Sequence, residues 1–83
     1  MKYELLCRLV NAIEPNIVPK INTKAFGFGY VDNIGNYLKA CEKLGLHKSD
    51  LFDPPDLYEG KNINLVVNNI HVLGMFFIGI VKF

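Results

Sequence analysis

Apolar residues recur at helical spacing in three stretches of an 83-residue chain, and the breaks between those stretches carry prolines and glycines. In the first stretch Leu5, Leu6, Leu9, Val10 and Ile13 form one stripe, while Lys2, Glu4, Arg8 and Asn11 take much of the other side. Pro15 pushes the residue before it out of the helical region, so a helix is expected over 2–13. In the second, Ile34, Tyr37, Leu38, Cys41 and Leu44 share a face over 31–44. Asp32 in its first turn and Lys39 and Lys43 towards its end suit the helix dipole, and Gly45 is placed as a left-handed stop. The third opens on Asn62 as N-cap and carries Ile63, Val66, Val67, Ile70 and Leu73 as its stripe. Such stripes must cover one another. The expected fold is all-α, with Leu9, Ile13, Leu38, Cys41, Val67 and Ile70 meeting at the centre.

The segments between the stripes read differently. The stretch 14–30 holds Pro15, Pro19, Gly27 and Gly29 and shows no period, yet Ile17, Val18, Ile21, Phe26 and Phe28 need burial. It is expected as an ordered loop; a short strand over 17–21 is the alternative, against which Pro19 counts. The stretch 49–60 is acidic and contains Pro54-Pro55, so it reads as a turn-rich connector with one helical turn at 56–59. The end of the chain, 75–83, has no polar face: Met75, Phe76, Phe77, Ile78, Ile80, Val81 and Phe83 are all large and apolar. From Gly74 this run is too short to cross a bilayer, and further back Asn64, Asn68, Asn69 and His71 interrupt it. It is expected either to extend the third helix over open core or to drive self-association.

Chain length allows one small domain. Nine basic against eight acidic side chains give a net charge of +1, which argues against nucleic-acid binding by bulk charge. An apolar fraction of 51% excludes disorder of the whole chain. Cys7, Cys41, His47 and His71 fit no zinc spacing, and both cysteines sit on apolar stripes where a small buried hydrophobe suffices. Asp50, Asp53 and Asp56 recur every third residue with prolines where calcium ligands should stand, so capping is their expected work. Gly27-Phe28-Gly29 lacks the third glycine and the leading strand of a dinucleotide loop. No nucleophile, base and oxyanion donor gather anywhere, and neither catalysis, a cofactor nor a metal is expected. Reduced thiols and the lack of a signal sequence point to the cytosol.

Several ordered blocks resemble one family. Leu6-Cys7-Arg8-Leu9-Val10-Asn11 is similar to the Leu-Cys-x-Leu-x-Asn segment of calponin-homology domains. Phe28, Asp32-Asn33-Ile34 and Asn36-Tyr37-Leu38-Lys39-Ala40-Cys41 resemble that family's core helix, and Leu44-Gly45-Leu46 its stop. Leu51-Phe52, then Asp56-Leu57-Tyr58-Glu59-Gly60-Lys61-Asn62, then Ile70-His71-Val72-Leu73-Gly74 follow in the family's order. The chain is identified as a member of the single-domain calponin/transgelin type, with 1–74 a partial domain and 75–83 an apolar extension. The resemblance implies a compact calponin-homology helical bundle, here lacking the family's tryptophan-bearing first helix, as a truncated product would.

It also implies a non-enzymatic module of the cytoplasm and cytoskeleton whose partner is the actin filament. Carried over residue by residue, the contact falls on Arg8, Asn11, Glu14, Asn16, Ile17, Lys20 and Lys24. Asp56 and Glu59 are expected to cap local backbone donors. A signalling adaptor that docks a kinase or small-GTPase regulator, and a fragment without function, are the alternative readings.

Overall fold

The computed structural model describes residues 2–24, 27 and 29–82, the stretch 76–82 by its backbone alone. Helix α1 is Glu4–Ile13, α2 Gly29–Leu44, α3 Pro54–Tyr58 and α4 Ile63–Lys82, with a 3-10 turn at Lys48–Asp50 before α3. No strand forms among the described residues, so 17–21 is loop. Phe26 and Phe28, expected to be buried, lie outside the described residues.

The helix ends follow the local chemistry. Gly45 takes φ 108°. Its N–H bonds the Glu42 carbonyl at 3.0 Å and that of Leu46 bonds the Cys41 carbonyl at 3.1 Å. That pair of bonds satisfies the last carbonyls of α2, and the left-handed residue they require is cheapest as glycine. In α3 both prolines occupy the first turn, where no N–H is needed, and the Asp56 carboxylate accepts the Asp53 N–H at 2.9 Å. Glu59 instead pairs with Lys61 at 3.5 Å in solvent. Asn62 caps α4, its side-chain oxygen accepting the Leu65 N–H at 3.3 Å.

Helix α2 is the hub. Ile34, Tyr37, Ala40 and Cys41 on it meet Cys7 and Val10 of α1, Val18 of the loop, Leu46 and Phe52 of the connector, and Val66 and Leu73 of α4. The expected centre is therefore corrected: only Cys41 of the six is fully buried, and Ile13 and Leu38 pack at its edge. Leu9, Val67 and Ile70 are 40%, 60% and 42% exposed. The reason is visible in α1, which is apolar on two sides. Cys7 and Val10 face α2, while Leu5 and Leu9 lie on the opposite side. Periodicity marks both sides and cannot say which one a neighbour covers.

Two asparagines, Asn33 and Asn69, are fully buried. The Asn33 side chain accepts the Asn22 N–H at 2.9 Å and donates to the carbonyls of Asn22 at 2.9 Å and Lys2 at 3.2 Å. Asn69 accepts the Tyr37 hydroxyl at 2.7 Å and donates to the Asp50 carbonyl at 2.8 Å. The two amides thus tie the loop and the connector to the helices, since a buried polar group holds its place only when bonded.

Both thiols are buried, and burial is the main force holding each above its ordinary range. The folded chain keeps these protons where the unfolded chain, with thiols near about 8.5, releases them. Their contribution is complete below that value and is lost as pH rises through it. The urea-unfolding free energy of the reduced protein is expected to be lower at about pH 9.5 than at about pH 7. Equal or greater stability at the higher pH would contradict the burial of both groups.

Candidate functional site

Asn11 shapes the surface that the sequence pointed to. Its amide donates to the Val18 carbonyl at 3.1 Å and accepts the Val18 N–H at 2.8 Å, pinning the loop to α1. Asn16 turns the chain with φ 65°, a conformation asparagine tolerates. Val18 is thereby drawn into the core, Ile17 is half-buried beside it, and Lys20 and Lys24 stand in solvent. Arg8 is also exposed and pairs with Glu4 one turn away at 3.2 Å.

Pinned in this way, the loop lies along α2 and leaves two grooves. The smaller, about 210 Å³, runs between Ile17–Lys20 and the α2 residues Asn36, Lys39, Ala40 and Lys43. The larger, about 450 Å³, continues past Asn22, Asp32 and Gly35 towards Pro54. Lys20, Asn36 and Lys39 border both. Arg8, Asn16 and Lys24 border neither, so the expected site residues do not form one cluster: Ile17 and Lys20 join this surface, while Asn11 works behind it.

Lys20, Lys39 and Lys43 are all exposed, and none is ion-paired among the described residues. The smaller groove has no carboxylate in its lining. Of the connector carboxylates Asp53 and Glu59 are exposed and Asp50 and Asp56 half-buried, and a neighbouring groove brings Asp53, Asp56 and the exposed Glu42 of α2 to the other side of Lys39. Sequence reasoning gave Lys39 and Lys43 to the helix dipole and passed over Asn36. Their i, i+3, i+7 spacing was the available signal, because it sets all three on one face of α2. No group of three or more His, Cys, Asp or Glu side chains stands together for a metal among the described residues. No helix among them is long and apolar enough to cross a membrane.

A helical domain that buries a Leu-Cys helix and a tyrosine-bearing core helix against a third defines a protein class. The sequence model of the Calponin homology (CH) domain matches residues 4–79, and the chain belongs to that family. Over 70 residues it is 59% identical to Rac guanine nucleotide exchange factor B of Dictyostelium discoideum, covering 84% of this chain and 6% of that protein. Over 71 residues it is 42% identical to Muscle-specific protein 20 of Drosophila melanogaster, covering 86% and 39%. Calponin-2 of Bos taurus is 37% identical over 62 residues, covering 75% and 20%. The chain thus spans well under half the length of each of these relatives. No solved structure gives a significant match.

Proposed function

We propose that the chain is a non-enzymatic binding module of the actin cytoskeleton and that it holds filaments weakly by itself. The observation that carries this is the lysine surface: Lys20, Lys39 and Lys43 converge along the loop and α2 without carboxylate partners. Ile17 offers an apolar contact beside it, while Arg8, Asn16 and Lys24 stand outside both grooves and would add only longer-range contacts. The family and the calponin and muscle-protein relatives support the choice of partner. An acidic filament is drawn to such a surface, while the connector carboxylates face it unfavourably.

The energetics keep the binding weak. Exposed ion pairs contribute about 0–1 kcal/mol each, so three lysines supply at most about 3 kcal/mol. Micromolar affinity needs about 8 kcal/mol. Ile17 and its neighbours must contribute the rest. Filament co-sedimentation of the purified chain tests the reading: a small bound fraction at low salt that disappears at high salt is expected. Tight, salt-independent binding would contradict it.

A second reading has its own observation, the 59% identity to a domain-sized piece of a Rac exchange factor. In it the same surface docks a signalling protein. No co-sedimentation at any salt, together with saturable binding to a purified small-GTPase regulator, would select this reading.

The apolar face of α4 supports a further property of the module. Ile63, Val67, Ile70 and Met75 are exposed. Weak self-association is the expected consequence, and of the apolar end only Met75 has a described side chain. In sedimentation velocity, Val67→Asp/Ile70→Asp is expected to lower the apparent mass at high concentration while leaving the helical spectrum unchanged. An unchanged mass would place any association elsewhere.

A further inference from the structure

The smaller groove between the loop and α2 has an architecture that filament charge alone does not call for. Its walls are apolar, formed by Ile17, Val18 and Pro19 on one side and Ala40 on the other. Its rim is cationic, formed by Lys20, Lys39 and Lys43, and no acidic side chain interrupts it. At the join with the larger groove lies Asn36, half-buried, whose amide bonds no other group among the described residues. At about 210 Å³ the space is below the size of an ordinary small-molecule site and suits a single large side chain.

We propose that this groove binds a short acidic peptide segment, one apolar side chain seated between the loop and α2 and carboxylates on either side of it meeting the lysines. Each part of the groove answers one part of that ligand. The apolar walls are the only part of the recess that rewards a buried side chain, because water leaves them on binding. The three ammonium groups recognise carboxylates without fixed geometry, as lysine does. The Asn36 amide offers both a donor and an acceptor, the pair that an extended backbone presents in return. Asp32, in the adjoining groove beyond Lys39, sets a direction: carboxylates are favoured at the Lys43 end and repelled at the Asp32 end.

The inference does not depend on filament binding, and its test contains no filaments. Fluorescence anisotropy of the full chain is measured with three labelled octapeptides: glutamates flanking a central leucine, the same peptide with lysines for glutamates, and an all-glutamate peptide. The leucine–glutamate peptide is expected to bind best, the all-glutamate peptide more weakly, and the lysine peptide not at all. Binding should fall as salt is raised. Lys39→Glu/Lys43→Glu, two exposed changes that leave the melting curve in place, should weaken binding about tenfold. Amide resonances of Val18, Asn36 and Ala40 should shift on titration. Absence of binding, equal binding of acidic and basic peptides, equal binding with and without the leucine, or indifference to the charge reversal would each overturn the proposal. Displacement of the peptide by inorganic phosphate at matched ionic strength would assign the rim to a phosphate ligand and overturn it as well.

Discussion

Asn33→Ala is expected to lower the unfolding free energy by about 3 kcal/mol, out of roughly 4–12 kcal/mol for a chain of this length. The side chain is fully buried and makes three hydrogen bonds to main chain, one from Asn22 and two to the carbonyls of Asn22 and Lys2. Its own carbonyl accepts the Cys7 thiol at 3.2 Å. One residue therefore joins the segment before α1, the loop and α2. Alanine leaves one N–H and two carbonyls without their partner, and because these lie in partly buried surroundings, water recovers only part of the loss. Asn33→Asp should be at least as damaging, since it keeps the acceptor, removes both donors and brings a charge into a sealed position. Urea unfolding at neutral pH measures both. A loss below about 1 kcal/mol for the alanine variant would contradict this role.

The second large effect lies one turn further along α2. Tyr37→Phe should cost about 1 kcal/mol, because the ring stays packed 6.3 Å from Phe52 and only the hydroxyl bond to Asn69 goes. Asn69→Ala should cost about 3 kcal/mol, because it also frees the Asp50 carbonyl and opens a void among buried side chains. The adjacent bond from Asn68 to the Asp50 carboxylate, 3.1 Å long, keeps the connector attached but cannot replace the lost donor. Since the two variants remove one shared bond, the double variant should lose about 1 kcal/mol less than the sum. Strict additivity would show that the 2.7 Å contact carries no coupling.

What the sequence made legible was whatever has a local cause. The stops at Gly45, the cap at Asn62 and the role of Asp56 all depend on bonds within a few residues, and each stands where its residue type directs. Helix α2 starts at Gly29, two residues before the expected start at 31, because the apolar stripe that marks it begins only at Ile34 and says nothing of the helix's first turn. Helix α4 continues to Lys82 because Gly74 weakens a helix by only about 1 kcal/mol and no proline follows it. Asn33 and Asn69 were illegible for a different reason. Their partners are distant in sequence, and an amide satisfied by remote backbone leaves the same polar mark as one in water. The lysine surface was half legible: Lys20 came from the resemblance, whereas Lys39 and Lys43 needed the Asn11–Val18 clamp to show that the loop runs beside them.

The central claim, a lysine-lined surface on the loop and α2 as the contact of a weak filament-binding module, is tested most directly by charge reversal. Co-sedimentation with actin filaments at low salt should be compared for the chain, Lys20→Glu/Lys39→Glu/Lys43→Glu, and Asp53→Lys/Glu59→Lys on the connector. All five positions are exposed, so the variants should melt as the parent does. The lysine reversal is expected to abolish the bound fraction, and the connector reversal to leave it equal or larger. Undiminished binding by the lysine variant, with loss confined to the connector variant, would contradict the claim.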